Sequence, residues 1–123
     1  MRILVVDDAA LVRLYYRQIL ERAGYQVEEA LNGLEALERL LKAPPDVVIV
    51  DVNMPQMDGF TFLATLRQRP LPAGGVPALV VSTEAGAGDR LAARAAGANG
   101  YLVKPISEPI LKMHVAMLCG IPE

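Results

Sequence analysis

Residues 47–59, VVIVDVNMPQMDG, decide how this chain folds. Four apolar residues run directly into Asp51, and the pair Asp58-Gly59 follows a loop that contains a proline. An apolar run without polar alternation is typical of a strand buried on both faces, as in a parallel sheet. Asp51 then lies where the strand leaves the core, and a carboxylate at that point needs either water or a charged partner.

The beginning of the chain repeats this pattern. The apolar run ILVV at residues 3–6 ends in Asp7 and Asp8. Two predicted strands therefore both finish in acidic residues. This repetition favours a charged site over a solvated turn.

Composition and charge restrict the class of protein. The 123 residues fit one domain, so we expect a single domain at 1–123 with no effector domain. No apolar stretch reaches the length of a membrane span, and 12 basic against 14 acidic residues leave no basic stripe for direct DNA binding. Cys119 is the sole cysteine, which excludes an intrachain disulfide and fits a cytoplasmic location.

Strand and helix patterns alternate along the whole sequence. Strands are predicted at residues 3–6, 25–30, 47–50, 78–81 and 101–103. A helix follows each strand. Asn32 and Ser107 are predicted N-caps, the pair Asp58-Gly59 starts the third helix, and Gly24 and Gly97 are predicted stops. The predicted apolar stripe of the second helix includes Leu34, Leu37 and Leu41.

Five strands alternating with five helices predict an α/β fold, a doubly wound five-stranded parallel sheet with helices on both faces. In the strand order 2-1-3-4-5, strands one and three flank the switch point, where ligands bind beyond the carboxyl ends of the strands. Asp7, Asp8 and Asp51 should therefore converge on one cleft. Two such charges about 4 Å apart repel by about 4 kcal/mol at an effective dielectric constant of 20, so a bound divalent cation is expected. Hard oxygen ligands with room for water favour Mg²⁺ over Ca²⁺.

Two more polar residues end the remaining strands. Ser82 follows the fourth strand and Lys104 follows the fifth, which places a hydroxyl and a cation beside the carboxylates. This set suits an anion with spread charge, such as a phosphoryl group in transfer. Asp51 can serve as the nucleophile without a base, because an aspartate with an ordinary pKa of about 3.9 is already ionised.

Taken together, these residues resemble the receiver domain of bacterial two-component response regulators. The resemblance rests on Asp7-Asp8, on Asp51 with Met54-Pro55 and Asp58-Gly59 behind it, on Ser82, and on Lys104-Pro105. It covers essentially the whole chain and is similar to stand-alone receivers of the chemotaxis-regulator type. It implies the flavodoxin-like fold, acting as a monomer or weak dimer.

The resemblance also implies a role for each site residue. Asp51 would accept a phosphoryl group from the phosphohistidine of a histidine kinase. Asp8 and Asp51 would bind Mg²⁺ together with the backbone carbonyl of Asn53, and Asp7 would act mainly through water. Lys104 would pair with the phosphoryl oxygens.

A second group of residues would carry the output and set its lifetime. Ser82 would move to contact the phosphoryl group, and Tyr101 would turn inward, which would alter the face formed by the fourth helix, fifth strand and fifth helix. Asn53 and Glu84 match positions that tune hydrolysis of the acyl phosphate. The Lys104-Pro105 peptide bond is often cis in this family.

Two positions depart from the family pattern, and two other functions stay open. Thr83 replaces a smaller residue and Ile106 replaces a phenylalanine; neither change removes a group that the chemistry needs.

The leading hypothesis is control of a downstream partner in trans. One alternative is a relay that passes the phosphoryl group to a histidine phosphotransfer protein. A flavodoxin-like cofactor binder is disfavoured, because three carboxylates would surround the flavin phosphate.

Overall fold

Strands and helices alternate along the chain in the computed structural model, which describes residues 1–120. The strands are β1 (Arg2–Val6), β2 (Gln26–Ala30), β3 (Val47–Asp51), β4 (Ala78–Ser82) and β5 (Gly100–Val103). The helices are α1 (Ala10–Arg22), α2 (Gly33–Lys42), α3 (Gly59–Arg67), α4 (Ala87–Ala96) and α5 (Glu108–Cys119). A short 3₁₀ turn, Ala73–Gly75, lies in the loop before β4.

All five strands run parallel in the order β2-β1-β3-β4-β5, which confirms the predicted fold class and topology. Every residue of β3 is buried, as the apolar run predicts. Helices α1 and α5 cover one face of the sheet, while α2, α3 and α4 cover the other. Within residues 1–120, no helix combines the length and apolar character needed to cross a bilayer.

Local sequence signals set the ends of the helices. The side chains of Asn32, Asp58 and Ser107 accept hydrogen bonds from the amides of Glu35, Thr61 and Ile110, as capping residues do. Gly24 and Gly97 follow α1 and α4 with φ of +97° and +108°, a region that costs glycine little. These caps and stops confirm the predicted helix ends.

The buried face of α2 differs from the predicted stripe. Leu37 is buried, but Leu34 and Leu41 are 52% and 50% exposed. Ala36 and Leu40 take their places against the sheet. The prediction was wrong because it followed the leucines, whereas the helix is turned so that a small alanine faces the closely packed layer.

Candidate functional site

Three carboxylates meet at the carboxyl edge of the sheet, and we call Asp7, Asp8 and Asp51 the acidic cluster. One oxygen from each lies within 4.8 Å of those of the other two. Asp7 and Asp51 are only 2% and 7% exposed, whereas Asp8 is exposed to solvent. The cluster is thus accessible to solvent at Asp8 and buried at the other two carboxylates.

Gly59 explains why the turn after β3 carries the pair Asp58-Gly59. A Cβ atom at Gly59 would lie 2.5 Å from the backbone oxygen of Asp51, closer than real contacts allow. The Gly59 amide donates to the carbonyl of Val52 at 2.9 Å, so the start of α3 packs directly on the chain that leaves β3. This close approach fixes the backbone of Asp51.

Lys104 supplies the positive charge that the acidic cluster needs. Its Nζ lies 3.2 Å from Oδ1 of Asp51 and 3.3 Å from Oδ2 of Asp7. Burial disfavours the ammonium form, but the negative charges of Asp7 and Asp51 outweigh it and raise the pKa of Lys104. Its amide donates to the carbonyl of Ser82 at 2.8 Å, and its peptide bond to Pro105 is cis.

The electrostatics of Asp51 differ from the sequence-based expectation of an ordinary pKa. Burial, and then the negative charge of Asp7, raise the pKa of Asp51, while Lys104 opposes the rise. The expectation was wrong because the sequence does not show how deeply the end of β3 lies in the sheet. Ionising this carboxylate in the folded protein therefore costs free energy, and a cation would reduce that cost.

Ser82 and Tyr101 are connected through the backbone of Glu84. Ser82 is buried, and its Oγ accepts from the Glu84 amide at 3.0 Å. The Tyr101 hydroxyl donates to the Glu84 carbonyl at 2.7 Å, and the Arg90 guanidinium lies over the Tyr101 ring, 5.1 Å from its centre. A displacement of the loop after β4 would therefore reach both side chains.

The remaining predicted positions lie around this edge. Asn53 is exposed in the loop after β3, and Glu84 is exposed after β4. Thr83 is also exposed. It lines a cavity of about 640 Å³ together with Lys104 and the tyrosines of α1. Ile106 is buried and packs with the core on the α1 and α5 side, so an aliphatic side chain fits that position.

Sequence reasoning missed several residues of α1 that border the site. Arg13 donates to the backbone carbonyl of Asp7 at 2.6 Å. The Tyr15 hydroxyl donates to the carbonyl of Ile106 at 2.6 Å, and burial with the nearby carboxylate charges raises the pKa of Tyr16. An arginine three residues before a buried tyrosine on one helix face was the available signal, because this spacing places both side chains toward the sheet.

The acidic cluster fits a hard divalent cation by its donor set. Its ligands are carboxylate oxygens with open solvent beside Asp8, which suits an ion that keeps several waters. The close approach of three carboxylates, only partly balanced by one lysine, also favours a cation there.

Comparison with known proteins identifies the family. A family model described as the response regulator receiver domain matches residues 3–116. The chain therefore belongs to the receiver domain family of two-component signalling, whose members bind Mg²⁺ in an acidic pocket.

Individual relatives place the chain within that family. It is 36% identical to chemotaxis protein CheY1 of Helicobacter pylori strain 26695 over 122 residues, which covers 98% of both chains. It is 45% identical to a protein-glutamate methylesterase/protein-glutamine glutaminase of Archaeoglobus fulgidus over 107 residues, which spans 85% of this chain but only 30% of that relative. Among solved structures, chemotaxis protein CheY4 of Vibrio cholerae is similar with a TM-score of 0.88 and 37% identity, covering 95% of this chain and 97% of that one.

Proposed function

We propose that the protein is a phosphoacceptor whose nucleophile is Asp51 and whose donor is the phosphohistidine of a histidine kinase. The observation that carries this proposal is the position of Asp51. Its carboxylate is nearly buried at the end of β3, 3.2 Å from the Lys104 ammonium and within 4.8 Å of oxygens of Asp7 and Asp8. A structural ion pair would not require two further carboxylates at the same point.

The proposed transfer needs only the phosphohistidine, Asp51 and a proton from water. An Asp51 oxygen forms a bond to phosphorus while the bond from phosphorus to the histidine nitrogen breaks, and the leaving imidazole takes up a proton from water. Lys104 stays protonated and pairs with the phosphoryl oxygens as Asp51 becomes an acyl phosphate. The position of these groups and their charges provide most of what such a transfer needs.

Mg²⁺ would be held by Asp8, Asp51 and the backbone carbonyl of Asn53, with Asp7 acting through water. When bound, it supplies positive charge that offsets the negative charge of the carboxylates and the phosphoryl group. The contacts of Asp7 support this indirect role through water. Its Oδ1 accepts from the Ala9 amide at 2.8 Å and its Oδ2 pairs with Lys104, so both oxygens already have partners.

The test is phosphorylation by a small donor. Acetyl phosphate or phosphoramidate with Mg²⁺ should add one phosphoryl group, read by intact mass, and the Asp51→Ala variant should gain none. Asp58→Asn is the matched control, because Asp58 is an exposed carboxylate in the same loop whose capping role asparagine can keep. Equal labelling of wild type and Asp51→Ala would rule out Asp51 as the acceptor.

Output is proposed to pass through Ser82 and Tyr101 to the face formed by α4, β5 and α5, where a partner protein would bind. Ser82 would exchange its contact with the Glu84 amide for one with the phosphoryl group. Because the half-buried Tyr101 is bonded to the carbonyl of the same Glu84, this exchange would alter that hydrogen bond and, with it, the position of the ring. Asn53 and Glu84, both exposed beside the site, are proposed to set how fast water reaches the acyl phosphate.

NMR with beryllofluoride, which mimics the phosphoryl group, separates this switch from the relay alternative. The switch predicts chemical shift changes at Tyr101, at Arg90 and along α4. Changes confined to the loops around Asp51 would contradict the switch and favour a relay that only passes the phosphoryl group on.

A further inference from the structure

Arg13 is a buried cation on α1 whose guanidinium bridges two elements. Its side chain is 11% exposed. Nη1 donates to the carbonyl of Asp7 at 2.6 Å, and Nε donates to Oε1 of Glu29 at 2.8 Å. One side chain thus links the loop after β1 to β2.

The carboxylate of Glu29 holds Arg13 in this orientation. Its other oxygen accepts from Nε of Arg17 at 2.7 Å, so two arginines one helical turn apart share one carboxylate. Burial favours the neutral acid, but the hydrogen bonds from Arg13 and Arg17 outweigh it and lower the pKa of Glu29. Glu29 is therefore a fixed anion that anchors the guanidinium.

The backbone of Asp7 is held on both sides. Its amide donates to the carbonyl of Ala30 on β2 at 3.2 Å, and its carbonyl accepts from Arg13. The strand β1 ends at Val6, so the Asp7 carbonyl lies beyond the strand and is oriented by Arg13. Because a peptide unit is planar, fixing the Asp7 carbonyl also fixes the direction in which the chain enters Asp8.

We propose that Arg13 is a positioning residue for cation binding: it orients the peptide between Asp7 and Asp8 so that both carboxylates stay directed into the acidic cluster. The proposal rests on the proposed function, since the cation is the one required there. Arg13 acts through the Asp7 carbonyl and does not itself touch the cation or the phosphoryl group.

Arg17 offers a matched control for this role. It is on the same helix, carries the same charge and binds the same Glu29. Its hydrogen bonds are made to Glu29 and Glu21 and not to the Asp7 carbonyl. If Arg13 served only to tie α1 to β2, loss of either arginine would affect cation binding alike. If the carbonyl contact matters, only loss of Arg13 will weaken it.

The experiment measures Mg²⁺ affinity by calorimetry for wild type, Arg13→Met and Arg17→Met. We expect Arg13→Met to raise the dissociation constant by about tenfold, the lower end of what loss of a residue that orients a metal ligand costs. The dissociation constant of Arg17→Met should remain within about twofold of the wild-type value, because Arg13 still orients the peptide between Asp7 and Asp8. In phosphorylation by phosphoramidate, the Mg²⁺ concentration for half-maximal rate should rise in Arg13→Met by the same factor, while the rate at saturating Mg²⁺ stays unchanged.

Arg13→Lys covers the case in which Arg13→Met does not fold. Lysine keeps the positive charge beside Glu29 but lacks the planar guanidinium that donates to both Glu29 and the Asp7 carbonyl. This variant should therefore fold and still bind Mg²⁺ several-fold more weakly than wild type. Wild-type affinity in a folded Arg13 variant, or an equal loss in Arg17→Met, would overturn the positioning role. A wild-type protein that binds no Mg²⁺ would instead refute the proposed function itself.

Discussion

Replacing Asp51 by asparagine removes one negative charge from the acidic cluster and keeps the shape of the side chain. In metal-free buffer at pH 7 we expect this variant to be more stable than the wild type. The reason is that two carboxylates repel Asp51 while a single ammonium attracts it. The same change removes the nucleophile, so stability and function should move in opposite directions.

The magnitude follows from the distances. The three oxygens lie no more than 4.8 Å apart, so at an effective dielectric constant of 20 Asp7 and Asp8 each repel Asp51 by about 3.5 kcal/mol or more. Lys104, 3.2 Å away, attracts Asp51 by about 5 kcal/mol at the same dielectric constant. The excess of repulsion is on the order of 1–2 kcal/mol, because solvent around the exposed Asp8 reduces its share. For a domain of this size, the gain corresponds to a melting temperature roughly 4–8 °C higher.

The assay is thermal unfolding followed by circular dichroism, first in EDTA and then in increasing Mg²⁺. A ligand at about 100 times its dissociation constant stabilises the folded state by about 2.7 kcal/mol. Wild type should gain this stability, whereas Asp51→Asn has lost a ligand and should gain less. The difference between the two proteins should therefore shrink or reverse as Mg²⁺ is added.

The pH dependence provides the control. Folding raises the pKa of Asp51, so the cost of its charge is present at neutral pH and disappears as pH falls through that raised pKa. The advantage of Asp51→Asn should therefore vanish in acid, and Asp58→Asn should show no comparable advantage at any pH. A wild type that is as stable as Asp51→Asn in EDTA at pH 7 would refute the electrostatic account of the cluster.

Three further variants test separate parts of the account. Asp8→Ala, or EDTA with wild type, should prevent phosphorylation while the protein stays folded; a collapsed melting temperature in Asp8→Ala would make Asp8 structural. Ser82→Ala should still accept phosphate, by intact mass, but beryllofluoride should no longer shift the NMR signals of Tyr101; an unchanged Tyr101 response would remove Ser82 from the switch. Arg67→Met should lower stability by about 3 kcal/mol in urea unfolding, because Arg67 donates to the carbonyls of Gly97, Gly74 and Val76; a loss below about 1 kcal/mol would contradict this.

The sequence predicts the edge of the sheet well because each strand there ends in a chemically distinct residue. The apolar runs before Asp7 and Asp51 are continuous, so both the strands and their polar ends are visible without tertiary information. The caps Asn32 and Asp58 are equally local, since a capping side chain bonds an amide three residues along.

Features that depend on contacts between distant segments could not be predicted in the same way. The orientation of α2 is decided by how closely it packs on the sheet, which favours Ala36 over Leu34. The roles of Arg13 and Arg67 depend on acceptors supplied by other elements of the fold. The raised pKa of Asp51 likewise depends on its depth in the folded sheet.

Locating the phosphoryl group after reaction with phosphoramidate and Mg²⁺ tests directly whether Asp51 is the acceptor. Borohydride reduces an aspartyl phosphate to homoserine, which leaves a permanent mass change that peptide sequencing by mass spectrometry can assign to one residue. We expect the change at Asp51 alone, and only when Mg²⁺ is present. A change at Asp7 or Asp8, or labelling of Asp51 at the same rate in EDTA, would contradict it.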